Sequence, residues 1–193
     1  MEAGTQNSNA HQRSRLSLVF RNRLPIVFLK IGACYSGDRI MARVSIITAT
    51  YNRSDVLRYA IESVLSQTYT DLEQIIVGDA CADDTAEVVA SFSDPRLSFV
   101  NRAANWGEQS VPNNDGFSLA SGTLIAYLNQ DDLWFPDHLG SLVSFIDQTG
   151  ADLAYALPFK IDRHGMPTCD LTNAELRYDP THFIVASLWL ARR

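Results

Sequence analysis

Cysteine is scarce in this chain: three among 193 residues, Cys34, Cys81 and Cys169, far apart and odd in number. That spacing offers neither a disulfide framework nor a CxxC zinc site, and it suits a reducing, cytoplasmic compartment. Basic residues are outnumbered, 16 Lys and Arg against 22 Asp and Glu, giving a net charge of −6. Nothing provides a broad positive field for a nucleic-acid backbone, so nucleic acid is not an expected partner and any phosphate must be held by local devices. Long apolar runs are missing as well. The longest near the N-terminus, Leu24 to Leu29, falls far short of the ~20 apolar residues that span a bilayer. Arg15, Arg21 and Arg23 break the pattern of a secretory signal. No transmembrane segment is therefore expected, while a basic segment lying on a membrane surface stays open. No GxGxxG or GxxxxGK[ST] follows any candidate strand, and no GxSxG is present, which argues against a dinucleotide fold, a P-loop and a nucleophile elbow.

What is present is the composition of one soluble globular domain, 46% hydrophobic and 20% charged. Residues 1–40 are polar or irregular in pattern and read as a poorly ordered extension, translated upstream of a start at Met41. Residues 41–193 read as the domain.

From Val44 two periodicities alternate, and that alternation is the fold signal. VSIITAT (Val44 to Thr50) is a β-branched run of strand length; Ser54 then stands at an N-cap position before Leu57, Ala60, Ile61, Val64 and Leu65 at helical spacing. Gln74 to Val77 is a second strand, with Asp83 or Asp84 capping a helix that buries Val88, Val89 and Phe92. Leu97 to Val100, Leu124 to Leu128 and Ala151 to Ala156 are further strands; Asn113 to Ala120 and Asp137 to Gln148 are helices. Strands apolar on both faces and alternating with helices predict an α/β fold with a mainly parallel sheet, flanked by helices.

In such sheets ligands bind beyond the carboxyl ends of the strands. Those ends read TATYNR (Thr48 to Arg53), Gly78-Asp79-Ala80 and Asn129-Gln130-Asp131-Asp132. Asp131 and Asp132 are adjacent carboxylates at a buried strand end, where mutual repulsion calls for a cation or a donor network. A hard divalent ion suits them, since Mg²⁺ typically takes one or two carboxylates and shares substrate phosphates; an Asp that caps the next turn is the plain alternative. Asp79 has the position to accept from a ribose hydroxyl or a base N–H, and Tyr51 could stack on a base or simply pack. Trp106, Trp134 and Phe135 fit core or crevice walls. His138 and His182 have no partner at metal-ligand spacing.

Together, VSIITATYNRSDVLRYAIESVLSQTY, IIVGDACADDT and NWGEQSVPNNDGFSLASGTLIAYLNQDDLWFPDHL resemble the family 2 glycosyltransferases of the GT-A, Rossmann-like fold, collinearly from Ala42 to Tyr155. The resemblance implies nucleotide contacts from Ala49, Thr50, Tyr51 and Asn52, from Asp79 to the base, usually uracil, and from Asp131 to the ribose and diphosphate. It implies a Mg²⁺ or Mn²⁺ cofactor on Asp131 and Asp132. Three positions depart from the family: Gly78 where a second acid is frequent, Asn113 where an arginine is frequent, and Asn129 in place of the first acid of a DxDD motif.

The reaction so implied is an inverting hexosyl transfer from a nucleotide-diphospho-sugar, UDP-linked by preference, to a hydroxyl of a glycan, lipid-linked glycan or protein. It belongs to polysaccharide or cell-envelope biosynthesis at the inner face of the membrane. The family's general base lies in a later segment than Pro180 to Arg193, so the chain is expected to lack its C-terminal, acceptor-binding part. None of Asp162, Asp170, Glu175 and Asp179 sits in a matching motif, and the base is not assigned. A nucleotide-sugar-binding module without turnover is the other reading. The apolar stretch Phe183 to Leu190 is expected to leave an exposed patch.

Overall fold

The computed structural model describes residues 26–29, 44–157, 160–161, 164, 166–168 and 186–193. The central strand β2 (Val44–Thr50) is buried along its whole length, as a largely apolar and β-branched run covered on both faces should be. Strand β1 (Ile26–Leu29) precedes it at the sheet edge. The remaining strands of the sheet are β3 (Leu72–Gly78), β4 (Leu97–Asn101), β5 (Leu124–Tyr127), β6 (Leu153–Ala156) and β9 (Trp189–Arg192). A separate small ribbon pairs β7 (Lys160–Ile161) with β8 (Pro167–Thr168).

The seven-stranded sheet runs β1-β6-β9-β5-β2-β3-β4. Strand β2 pairs in parallel with β3 and β5, and β3 with β4. Strand β9 is antiparallel to both β5 and β6, so β6 points the same way as β2 to β5. Five strands therefore share one direction, as the alternating pattern predicts, and β9 and β1 run against them. Of the segment 1–40, only Ile26–Leu29 is described, as the edge strand antiparallel to β6.

Helices α1 (Ser54–Leu65), α2 (Thr85–Ser91), α3 (Ser110–Leu119) and α4 (His138–Thr149) cover the sheet. The stripe Leu57, Ala60, Ile61 and Val64 turns α1 inward at the spacing of one helical face. Ala60 and Val64 meet Val44 and Ile46 of β2 beside Leu139, Leu142 and Ile146 of α4, while Leu57 and Ile61 meet Ile76 and Val89. The opposite face, with Ile47, Ile75, Val77 and Ile125, packs around Ala120 at the end of α3. Neighbouring residues of one strand thus feed opposite layers, each buried aliphatic side chain contributing ~1.5–3 kcal/mol. Gly116 lets α3 approach: a Cβ there would stand 2.5 Å from Ile47 Cγ2.

Two expectations are corrected. Ser54 does not cap α1 through its own side chain; the cap position falls on Arg53, and the N–H of Ser54 is taken instead by Asp83 from the β3–α2 loop. The exposed apolar patch is not seen where the segment is described: Leu190 is wholly buried, because β9 enters the sheet between β5 and β6. Phe183 to Val185 lie outside the described residues. Helix α3 also begins earlier than periodicity suggests, at Ser110 rather than Asn113.

Candidate functional site

Strands β2, β3 and β5 end side by side, and hydrogen bonds join their ends. Thr50, buried, donates its hydroxyl to Gln130 Oε1 at 2.7 Å, and the Tyr51 N–H donates to the same oxygen at 3.1 Å. On the other side the Asp79 N–H reaches the Thr50 carbonyl at 2.8 Å. The clusters that begin at Thr50, Asp79 and Gln130 therefore meet at one edge, as expected for a parallel sheet. Ala49 is buried and can offer only backbone. The Tyr51 ring is about half exposed and free to face a ligand.

Two non-glycine residues at these ends adopt left-handed backbone, Asn52 at φ 49° and Ala80 at φ 61°. Asn tolerates that region; alanine does so at a cost of about 1–2 kcal/mol, so neighbours must hold it. They do: Asn52 Oδ1 accepts the Ala82 N–H at 2.8 Å, and Asn101 grips Cys81 twice, accepting its N–H at 2.9 Å and donating to its carbonyl at 2.8 Å. The same geometry accounts for Gly78, since a Cβ there would lie 2.6 Å from Asn101 Oδ1.

Asp79 is buried, and its carboxylate faces inward to the loop after β4. It accepts the Trp106 N–H at 3.0 Å and the Gly107 N–H at 3.3 Å, while Asn105 donates to its carbonyl at 3.1 Å. Arg102 Nε approaches it at 3.5 Å, an ion-pair rather than a hydrogen-bond contact, and Arg102 Nη1 binds Asp115 on α3. This carboxylate thus orders a loop that presents Trp106 largely to solvent, at 62% exposure. Of the three aromatics expected at core or crevice walls, Trp134 is buried whereas Trp106 and Phe135 are exposed.

Beyond β5, Asp131 is exposed and has no protein partner among the described residues. Asp132 is half-buried: its Oδ2 accepts Asn129 Nδ2 at 2.9 Å and the Ser187 hydroxyl at 2.5 Å. Both aspartates stand at the same strand end as Thr50 and Tyr51, with Gln130 between. No group of three or more His, Cys, Asp or Glu side chains converges on one point among the described residues, so a cage made wholly of protein is not offered there. Two carboxylates fit the other mode, in which a hard cation also takes diphosphate oxygens.

His138 stacks on Trp134 with ring centroids 4.6 Å apart. Burial drives its pKa down to about 4, against a small opposing pull from Asp137, so it is neutral at physiological pH. Its ring packs against the buried Trp134. His182 and the carboxylates Asp162, Asp170, Glu175 and Asp179 lie outside the described residues. Gln130, Ser187, Arg102 and Asn105 carry weight at the site that the sequence reading did not assign. Of these, Asn105 and Gln130 stand inside the motifs that carry the family resemblance.

A helix-flanked α/β sheet with paired acids and a strained turn at its carboxyl edge defines a GT-A nucleotide-sugar-transferase fold. The sequence model of "Glycosyl transferase family 2" matches residues 45–183, and the chain belongs to that family. It is 36% identical to the succinoglycan biosynthesis protein ExoO of Rhizobium meliloti over 58% of this chain and 32% of that protein. To WfaP of Escherichia coli, named a UDP-Glc:α-D-GlcNAc-diphosphoundecaprenol β-1,3-glucosyltransferase, it is 32% identical over 60% of this chain and 46% of that one. Among solved structures it resembles TarS of S. aureus in complex with UDP-GlcNAc, with TM-score 0.56 and 24% identity over 57% of this chain and 33% of that one. It also resembles the mannosyltransferase PcManGT of Pyrobaculum calidifontis in complex with GDP-Man and Mn²⁺, with TM-score 0.53 and 24% identity over 58% of this chain and 34% of that one. The chain spans less than half of the length of these two curated relatives, 32% of one and 46% of the other.

Proposed function

We propose that residues 41–193 form the donor-binding part of an inverting glycosyltransferase that moves a hexose from a nucleotide-diphospho-sugar, UDP-linked, to an acceptor hydroxyl. Residues 1–40 are an extension to that domain, of which Ile26–Leu29 adds the edge strand β1 to its sheet. The observation that carries this reading is the placing of Asp131 and Asp132 at the same sheet edge as Thr50 and Tyr51, joined through Gln130. The backbone of Ala49, the Thr50 hydroxyl, the Tyr51 ring and Asn52 line the nucleotide. Asp79 serves the base side of the same site, with Trp106 beside it. Asp131 and Asp132 hold a divalent cation, Mg²⁺ or Mn²⁺, which supplies Lewis-acid stabilisation of the departing diphosphate.

In the reaction the acceptor oxygen forms a bond to the anomeric carbon from the face opposite the diphosphate, the carbon–oxygen bond to the diphosphate breaks, and a base takes the acceptor proton. The residue that serves as that base is not assigned. The acceptor is a glycan, lipid-linked glycan or protein hydroxyl in polysaccharide or cell-envelope synthesis. No described helix is long and apolar enough to cross a membrane, and the reading places the protein in the cytoplasm at the inner membrane face.

Calorimetric titration with UDP, with and without Mn²⁺, tests the reading. Metal-dependent binding that Asp132→Ala abolishes supports it. A folded chain that binds neither UDP, GDP nor dTDP under any metal condition overturns it.

A further inference from the structure

Asp132 is not left to find its own orientation. Its Oδ2 receives two donors from different parts of the chain, the Asn129 amide at 2.9 Å and the Ser187 hydroxyl at 2.5 Å. Ser187 is buried, at 3% exposure, on the turn Ala186–Leu188 that leads into β9. It is itself fixed at two further points. Its hydroxyl oxygen accepts the Asn129 N–H at 2.9 Å, and its carbonyl accepts Trp134 Nε1 at 2.6 Å. Trp134 is in turn buried and stacked on His138, and β9 is paired on both sides. Asp132 Oδ1, by contrast, has no protein partner among the described residues.

We infer that Ser187 and Asn129 are positioning residues for Asp132, saturating its Oδ2 so that Oδ1 is presented, beside Asp131, to a divalent cation shared with a nucleotide diphosphate. The inference rests on the reading of the site given above. The chemistry explains why an amide suits position 129: a carboxylate there would face Asp132 with like charge, whereas Asn129 donates to it. It also gives β9 a role at the site, because the hydroxyl that orients the acid stands on the turn that leads into this strand, which is held between β5 and β6. Partners of this kind orient a ligand without touching the ion, and losing one typically weakens metal affinity by about 10–100-fold.

The test is a titration of free Mn²⁺ by electron paramagnetic resonance, on the whole chain with UDP present, for the parent, Ser187→Ala, Asn129→Ala and Asp132→Asn. Thermal melting of each variant is recorded alongside. Both positioning variants are expected to lose about tenfold or more in Mn²⁺ affinity, while metal-free UDP binding stays at the parent value, a split that general loosening of the fold would not produce. Ser187→Thr, which retains a hydroxyl, should restore most of the affinity. Asn129→Ala removes one donor at a half-buried loop position and keeps the test open should Ser187→Ala fail to fold. If Asp132→Asn loses Mn²⁺ while Ser187→Ala and Asn129→Ala match the parent, the positioning role is wrong and the site stands. If Asp132→Asn also matches the parent, the site reading falls and takes the inference with it.

Discussion

The carboxylate of Asp83 accepts the backbone N–H of Ser54 at 3.1 Å, capping α1 from a loop 29 residues further along the chain. Its other oxygen takes the N–H of Thr85 at 3.2 Å and the Thr85 hydroxyl at 2.6 Å at the start of α2. One side chain therefore satisfies first-turn donors of two helices whose own cap residues, Arg53 and Asp84, make no side-chain cap bond. A cap lost to alanine typically costs about 1 kcal/mol, so Asp83→Ala should lose about 2 kcal/mol in urea unfolding. Burial raises the Asp83 pKa, but the donors of Thr85 and Ser54 outweigh it, and the carboxyl lies below its ordinary value. A depressed folded value means stability that is present above the unfolded value of ~3.9 and lost as pH falls through the folded one. The melting-temperature gap between the parent and Asp83→Asn should accordingly be full near neutrality and close in strong acid.

Gly116 and Ile47 set the distance between α3 and the sheet. Alanine at 116 would gain about 1 kcal/mol of helix propensity, yet its Cβ would lie 2.5 Å from Ile47 Cγ2, a methyl held close to the backbone in the fully buried core. Overpacking of this kind costs about 1–3 kcal/mol. The clash should win, and Gly116→Ala is expected to lower the unfolding midpoint; in the Ile47→Ala background, which removes Cγ2, the same change should cost less.

The sequence spelled out what depends on neighbours along the chain. Strand β2 has its predicted bounds because six of its seven residues are apolar or β-branched, and α1 shows its face through Leu57, Ala60, Ile61 and Val64. Asp131 and Asp132 were visible as adjacent acids after an apolar run. What escaped depends on distant pairing. Trp189 and Leu190 are apolar both on a surface helix contact and in a central strand, and only the register with β5 and β6 distinguishes them. Ser187 lies 55 residues from Asp132, and a lone serine carries no local mark of that partnership. The cap of α1 failed for the same reason, since Ser54 has the right type but Asp83 has the right place.

His138 predicts an acid sensitivity separate from that of Asp83. Its folded pKa of about 4 lies below the unfolded ~6.5, so between those values the unfolded chain binds a proton that the folded chain refuses. Stability must then fall as pH drops through that window. Replacing the ring with Phe keeps the stack on Trp134 and removes the titration, so His138→Phe should flatten the dependence of melting temperature on pH between about 4 and 6.5. An unchanged slope would mean that the ring is hydrated and titrates normally.

Asp79 joins two tasks that mutation can separate. Its carboxylate receives the N–H groups of Trp106 and Gly107 and faces Arg102, itself tied to Asp115. Asp79→Ala leaves a largely buried guanidinium with one partner fewer and two amides with none, losses of about 1–3 kcal/mol for an unsatisfied group and more where charge is involved. Hydrogen exchange at Trp106 and Gly107 should speed up in Asp79→Ala even without ligand, and the emission of the exposed Trp106 should shift. UDP binding then divides the possibilities. If Asp79 acts on the nucleotide only by shaping this loop, restraining the loop by other means, as with Gly107→Asn, which suits the left-handed φ of 74° there, should recover part of the affinity lost in Asp79→Ala. If the carboxylate contacts the base, no loop substitution will recover it, and the loss will be larger for UDP than for a diphosphate lacking the base.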